Sequence, residues 1–130
     1  MPRTAAGATG TLPDGRINPL STAVRAGDFV FVSGLMAKDD QGQIVAGDIT
    51  VQTTAVLARL ATVVASAGCT MDDVVKCTVW LTDAVDFPAF NAIYEKTFAP
   101  PYPARSAVRG DLLLPGARIE LEAVCYRPLA

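Results

Sequence analysis

The chain has 130 residues, a net charge of −2, 51% apolar residues and no histidine, which is enough for one domain with its own core and too apolar for a disordered segment. The missing imidazole excludes Ser–His and Cys–His nucleophiles, histidine-ligated metals and the paired-histidine chemistry of many ribonucleases. Lys and Arg are scattered rather than striped, which speaks against a nucleic-acid partner.

In chain order, residues 1–15, "MPRTAAGATGTLPDG", show no apolar period. They read as a mobile arm on a single domain spanning 1–130, and they lack the apolar h-region of a signal peptide. "STAVRAGDFVFVSG" reads as a hairpin: one strand ends at Val24, Ala26-Gly27-Asp28 turns, and Phe29 to Ser33 forms the next strand. Phe29 and Phe31 share one face, and Val30 and Val32 the other. Gly34 follows, allowing either a close approach of backbone or an unusual φ. "KDDQGQIVAG" is a polar turn region.

From Asp48 to Ala67 the period becomes helical. Val56, Leu60, Val63, Val64 and Ala67 form the apolar face, while Gln52, Arg59 and Ser66 mark a polar stripe. Asp48 suits the N-cap and Gly68 the position past the C-cap. "TMDD" (Thr70–Asp73) has the form of a capping box opening a single turn. "VVKCTVWL" alternates as a strand over Val74–Leu81. A second helix is predicted from about Asp86 to Phe98, with Pro88 in its first turn and Phe87, Phe90, Ile93, Tyr94 and Phe98 on its apolar side. "APPYP" stops it. Ala104–Arg109 and Arg118–Arg127 complete the strands, with Ile119, Leu121, Ala123 and Cys125 facing opposite to Glu120, Glu122, Val124 and Tyr126.

The order ββαβαββ implies an α+β fold, a mixed sheet with both helices on one face. The other face would carry Glu120, Glu122, Val124 and Trp80, too apolar for water and too charged for a closed core. Self-association of that face, with sites between subunits, is the expected resolution. Cys69, Cys77 and Cys125 form no CxxC pair and read as reduced, buried thiols of a cytoplasmic protein. No run reads as a membrane span.

Arg105 opens one strand, and Glu120 and Glu122 project from one face of the last. If these strands pair, a guanidinium fork and a carboxylate converge. Two readings stay open from the residues alone. One is a structural cross-strand ion pair. The other is a small site in which Arg105 anchors an anion and Glu120 orients or deprotonates a water.

"FVFVSG", "VVKCTVWLTDAVDFPAFNAIYEKTF", "YPARSAV" and "LPGARIELEAV" together resemble the RidA (YjgF) family of enamine/imine deaminases, over roughly Asn18 to Pro128. The resemblance implies a chorismate-mutase-like sheet with two helices, a homotrimeric barrel with clefts between subunits, and no metal or organic cofactor. It implies hydrolysis of 2-aminoacrylate-type imino acids to 2-oxo acids and ammonia. Such an imine is already electrophilic, so positioning its carboxylate and one water supplies most of the catalysis. By resemblance Arg105 binds the substrate carboxylate, Glu120 holds the water, and the backbone around Ala107 meets the substrate nitrogen. Ser33, Gly34 and Asn91 line or support the cleft. Two positions depart from the family pattern: Leu20 stands where archetypal members have a pocket-closing Tyr, and Ala107 where they often have Cys. The Leu20 change predicts a pocket tolerant of larger or less polar substrates. Alternatives are a 2-aminomuconate-type deaminase of aromatic catabolism and a non-catalytic binder of small carboxylates.

Overall fold

The computed structural model describes residues 3–8 and 10–129. Among the described residues six strands form one sheet: β1 (Thr4–Ala6), β2 (Ala23–Ala26), β3 (Phe29–Met36), β4 (Val74–Leu81), β5 (Ala104–Arg109) and β6 (Ile119–Tyr126). Their lateral order is β1-β2-β3-β6-β4-β5. Only β4 and β5 are parallel neighbours; the other adjacent strands are antiparallel. Helix α1 (Ile49–Ser66) packs on β3 and β6, and helix α2 (Phe87–Thr97) packs against α1. The α+β architecture expected from the sequence, with two helices on a mixed sheet, is therefore present.

Period-2 patterning decides which side chains meet the helices. Val30, Val32, Leu35, Cys77, Val79, Leu81, Ile119, Leu121, Ala123 and Cys125 are buried in one core with Val56, Leu60, Val64, Phe90 and Tyr94. The opposite face carries Phe29, Phe31, Trp80, Val108, Glu120, Glu122, Val124 and Tyr126, as the registers require. Phe29, Phe31, Val108 and Tyr126 are exposed there. All three cysteines are free and buried.

Helix ends follow their chemistry. Asp48 caps α1 by accepting from the Val51 N–H at 3.0 Å. Gly68 sits at φ +82°, the left-handed conformation a chain needs to leave a helix cheaply. At the Thr70–Asp73 turn, Asp73 accepts from the Thr70 N–H at 2.7 Å. α2 is one residue shorter at each end than the sequence pattern suggests, because a 3₁₀ turn (Ala84–Asp86) precedes it and Phe98 is already extended.

Three expectations need correction. The presumed arm contains β1, which pairs Thr4, Ala5 and Ala6 with Arg25, Val24 and Ala23. Main-chain bonds hold this short edge strand, so Thr-Ala-Ala shows no alternation to read; residues 1, 2 and 9 of the arm lie outside the described residues. Gln52 is not on a solvent stripe but buried. Its amide donates to Val45 O and Gly116 O and accepts from the Arg118 N–H. Such satisfaction is what makes a buried amide tolerable. Finally, α1 is apolar enough over 18 residues, with mean hydropathy 1.4, to match a membrane span by length and composition. It serves instead as a core helix, seated on the sheet through Val56, Leu60 and Val64.

The loop before β6 is locked to both helices. Arg118 donates to both oxygens of the buried Asp86 at 3.0 Å, directly before α2, while its N–H engages Gln52 of α1. The start of β6, with Glu120, and the start of α2, one turn before Asn91, thus share one anchor.

Candidate active site

Arg105 lies on the helix face of β5. Its register partner Cys77, and Ala123 beyond it, both point into the core. The guanidinium rests among three rings of α2, with its carbon 4.7 Å from the Tyr94 centroid and 5.5 Å from those of Phe87 and Phe90. One N–H donates to Asn91 Oδ1 at 2.8 Å. The three ion pairs among the described residues do not include Arg105. Arginine has five donors, so the fork keeps enough of them for a carboxylate. It lines a cavity of about 410 Å³ with Asn91, Tyr94, Glu95, Tyr102 and Pro103. Asn91, in the middle of α2, makes its polar contact with Arg105 through this bond.

Tyr94 is the functional candidate missed from sequence, where it reads only as part of the apolar helix side. Its hydroxyl is buried with no hydrogen-bond partner among the described residues, beside the Arg105 cavity. Burial, followed by the neighbouring Cys77 thiol, pushes its pKa well above the ordinary tyrosine range. The available signal was spacing: Phe87, Asn91 and Tyr94 stand four and three residues apart, on one helix face.

Ala107, two residues beyond Arg105, shares its side of β5 and lines an apolar cavity of about 270 Å³ with Leu81, Ala84 and Phe87. β5 is an edge strand, so part of its main chain has no ladder partner within the chain and is open to a ligand.

Glu120, Ser33, Gly34 and Leu20 form a second group elsewhere. Ser33 and Gly34 sit where the β3–β6 register shifts between Val32 and Leu35. The Ser33 hydroxyl donates to Ser21 O at 2.6 Å, and Leu20, Ser33 and Gly34 line a cavity of about 100 Å³. Gly34 is required by close approach and not by its φ. A Cβ there would collide with Glu120 Oε2, so the carboxylate occupies the space of the missing side chain. Burial, and then the charge of Glu122, raise the Glu120 pKa above the ordinary carboxylate value. A Gly34→Ala substitution displaces the flexible end of Glu120 and not backbone. It is expected to cost at most about 1 kcal/mol in chemical denaturation and about 10- to 100-fold in kcat.

The two groups do not meet in one chain. β4 lies between β5 and β6, which corrects the expectation that the Arg and Glu strands could be neighbours. Trp80, the partner of Glu120, faces away from the helices, as does Val108 across from it. Arg105 and Glu120 therefore project from opposite faces, two strands and three residues apart, about 14 Å between Cα atoms. The ion-pair reading of Arg105 and Glu120 fails on this geometry.

Residues 13–127 match the family described as endoribonuclease L-PSP. The chain is 40% identical to a RutC family protein of Pyrococcus abyssi over 112 residues, which covers 85% of this chain and 88% of that one. It is 38% identical to the 2-iminobutanoate/2-iminopropanoate deaminase of Homo sapiens over 114 residues, covering 87% and 83% of the two chains. Its fold is similar to the crystal structure of RidA from an Antarctic Psychrobacter species, with a TM-score of 0.80, 32% identity and 94% and 93% coverage.

Proposed function

Since the chain belongs to the endoribonuclease L-PSP family, the YjgF/RidA family, we propose that it is an imine deaminase whose site is completed between subunits. The observation that carries this reading is the Arg105 guanidinium, held by three rings and Asn91 yet unpaired with any carboxylate among the described residues, at the wall of a cavity. A cation so held is built to receive an anion. The relative named a 2-iminobutanoate/2-iminopropanoate deaminase supports a 2-imino acid as that anion.

In the proposed reaction Arg105 of one protomer grips the substrate carboxylate. Glu120 of a neighbour, beside Ser33 and Gly34, accepts a proton from water as its oxygen attacks the C=N carbon. Glu120 returns that proton to nitrogen, giving a carbinolamine; the proton of the new hydroxyl then moves to the same nitrogen as the C–N bond breaks and C=O forms, so ammonia leaves with the 2-oxo acid. The apolar sheet face bearing Phe29, Phe31 and Tyr126 is the surface we assign to a homotrimer, since burying it removes exposed apolar area, and the edge position of β5 leaves Arg105 where a neighbour can approach it. The ribonuclease in the family's description finds no support in a chain with net charge −2 and no histidine.

The test is hydrolysis of an alanine-derived imine released in situ by an amino-acid oxidase, followed as 2-oxo acid formation. The protein is expected to accelerate it, and no acceleration with any amino-acid-derived imine contradicts the reading. Glu120 acts as carboxylate, so activity falls as pH drops through its raised pKa. The acid limb of kcat/KM therefore lies above that of an ordinary glutamate. Glu122→Gln removes the like charge and is expected to move the limb to lower pH.

A further inference from the structure

The cavity of about 100 Å³ beside Gly34 is lined by Asn18, Leu20, Ser33, Lys38 and Arg59 among others, and among the described residues no acidic side chain lines it. Arg59 reaches it from the middle of α1, half-buried, with one N–H donating to Met36 O at 3.2 Å. None of the three ion pairs among the described residues includes Arg59 or Lys38. Asp39, next to Lys38, uses Oδ1 on the Gln41 and Gln43 N–H groups. Both cations also border an adjoining cavity of about 680 Å³ with Asp39 and Asp40, yet neither is within ion-pair distance of a carboxylate among the described residues. Burial lowers the pKa of Arg59, the mark of a charge losing hydration without a partner to offset it.

The cavity is roomy enough for a carboxylate, and its two cations favour an anion there. Gly34 is the shared wall, touching both this cavity and the Glu120 carboxylate. Leu20 offers an apolar surface for the methylenes between two polar ends.

We propose that Arg59 and Lys38 form a subsite for a second carboxylate, so that the preferred substrates are imines of dicarboxylic amino acids. The inference rests on the imine-deaminase reading, with the first carboxylate on Arg105 and the second in the neighbouring protomer's Arg59–Lys38 pocket. If Arg59 merely ties α1 to β3 through Met36 O, substrate choice is indifferent to its charge.

The experiment has a kinetic and a binding arm. The first is the ratio of kcat/KM for the glutamate-derived imine to that for the alanine-derived imine. The second, needing no turnover, is the ratio of 2-oxoglutarate to 2-oxobutyrate affinity by calorimetry. Both are expected to exceed about tenfold in the natural protein and to fall at least about tenfold in Arg59→Met, through KM. Arg59→Lys, which keeps the charge, should retain part of the preference, and Lys38→Met should lose part even if Arg59→Met fails to fold. No dicarboxylate preference in either arm, or ratios unmoved by these substitutions, overturns the subsite. A binding preference that survives where no imine is hydrolysed retains the subsite and rejects the deaminase reading. Hydrolysis without the preference does the reverse.

Discussion

Arg105→Ala is expected to lower kcat/KM for 2-imino acids by about 10²- to 10⁴-fold, because a forked, charge-assisted pair with the substrate carboxylate disappears. Affinity for 2-oxobutyrate should fall with it. Arg105→Lys should recover little, since an ammonium cannot give two parallel N–H bonds or lie flat among Phe87, Phe90 and Tyr94 as the guanidinium does. Steady-state kinetics and calorimetry on both variants check this. Thermal unfolding alongside them separates lost recognition from lost packing, because the aromatic cluster loses a stacked group in the alanine variant.

Glu120→Ala should instead leave 2-oxobutyrate binding within about threefold and reduce kcat by about 10²- to 10⁴-fold, the usual range for a general base. The contrast separates an enzyme from a carrier of small carboxylates. In a carrier only the Arg105 change matters, and Glu120 is dispensable. In the enzyme both substitutions stop turnover, and only one stops binding.

Much of this was legible in the chain itself. Alternation placed Phe29 and Phe31 opposite Val30 and Val32, and placed Glu120 and Glu122 opposite Ile119 and Leu121. Helical spacing placed Val56, Leu60 and Val64 in the core. The lateral order of strands was not legible, because each strand's pattern records its own two faces and not its neighbours. A clue was nonetheless present. "ARSAVR" has arginines near both ends and one sizeable apolar residue, a composition suited to an edge, whereas "IELEAVCY" has the fully apolar side of a central strand. Read that way, Arg105 belongs outside β4 and apart from the glutamates. For Gly34 the chain left close approach and an unusual φ equally open, because its visitor, Glu120, arrives from a strand more than eighty residues later. Gln52 was misjudged because its three partners are main-chain groups of distant loops.

Opposite-face placement of Arg105 and Glu120 makes the central claim that neither protomer holds a whole site. Co-expression of the Arg105→Ala and Glu120→Ala chains, with purification of mixed oligomers, tests it most directly. Each variant alone should be inert, whereas random mixing should restore about a quarter of the sites, those pairing an intact Arg105 with a neighbour's intact Glu120. Verified mixed oligomers that stay as inactive as either parent, or a protein that turns over imines as a monomer, would contradict it.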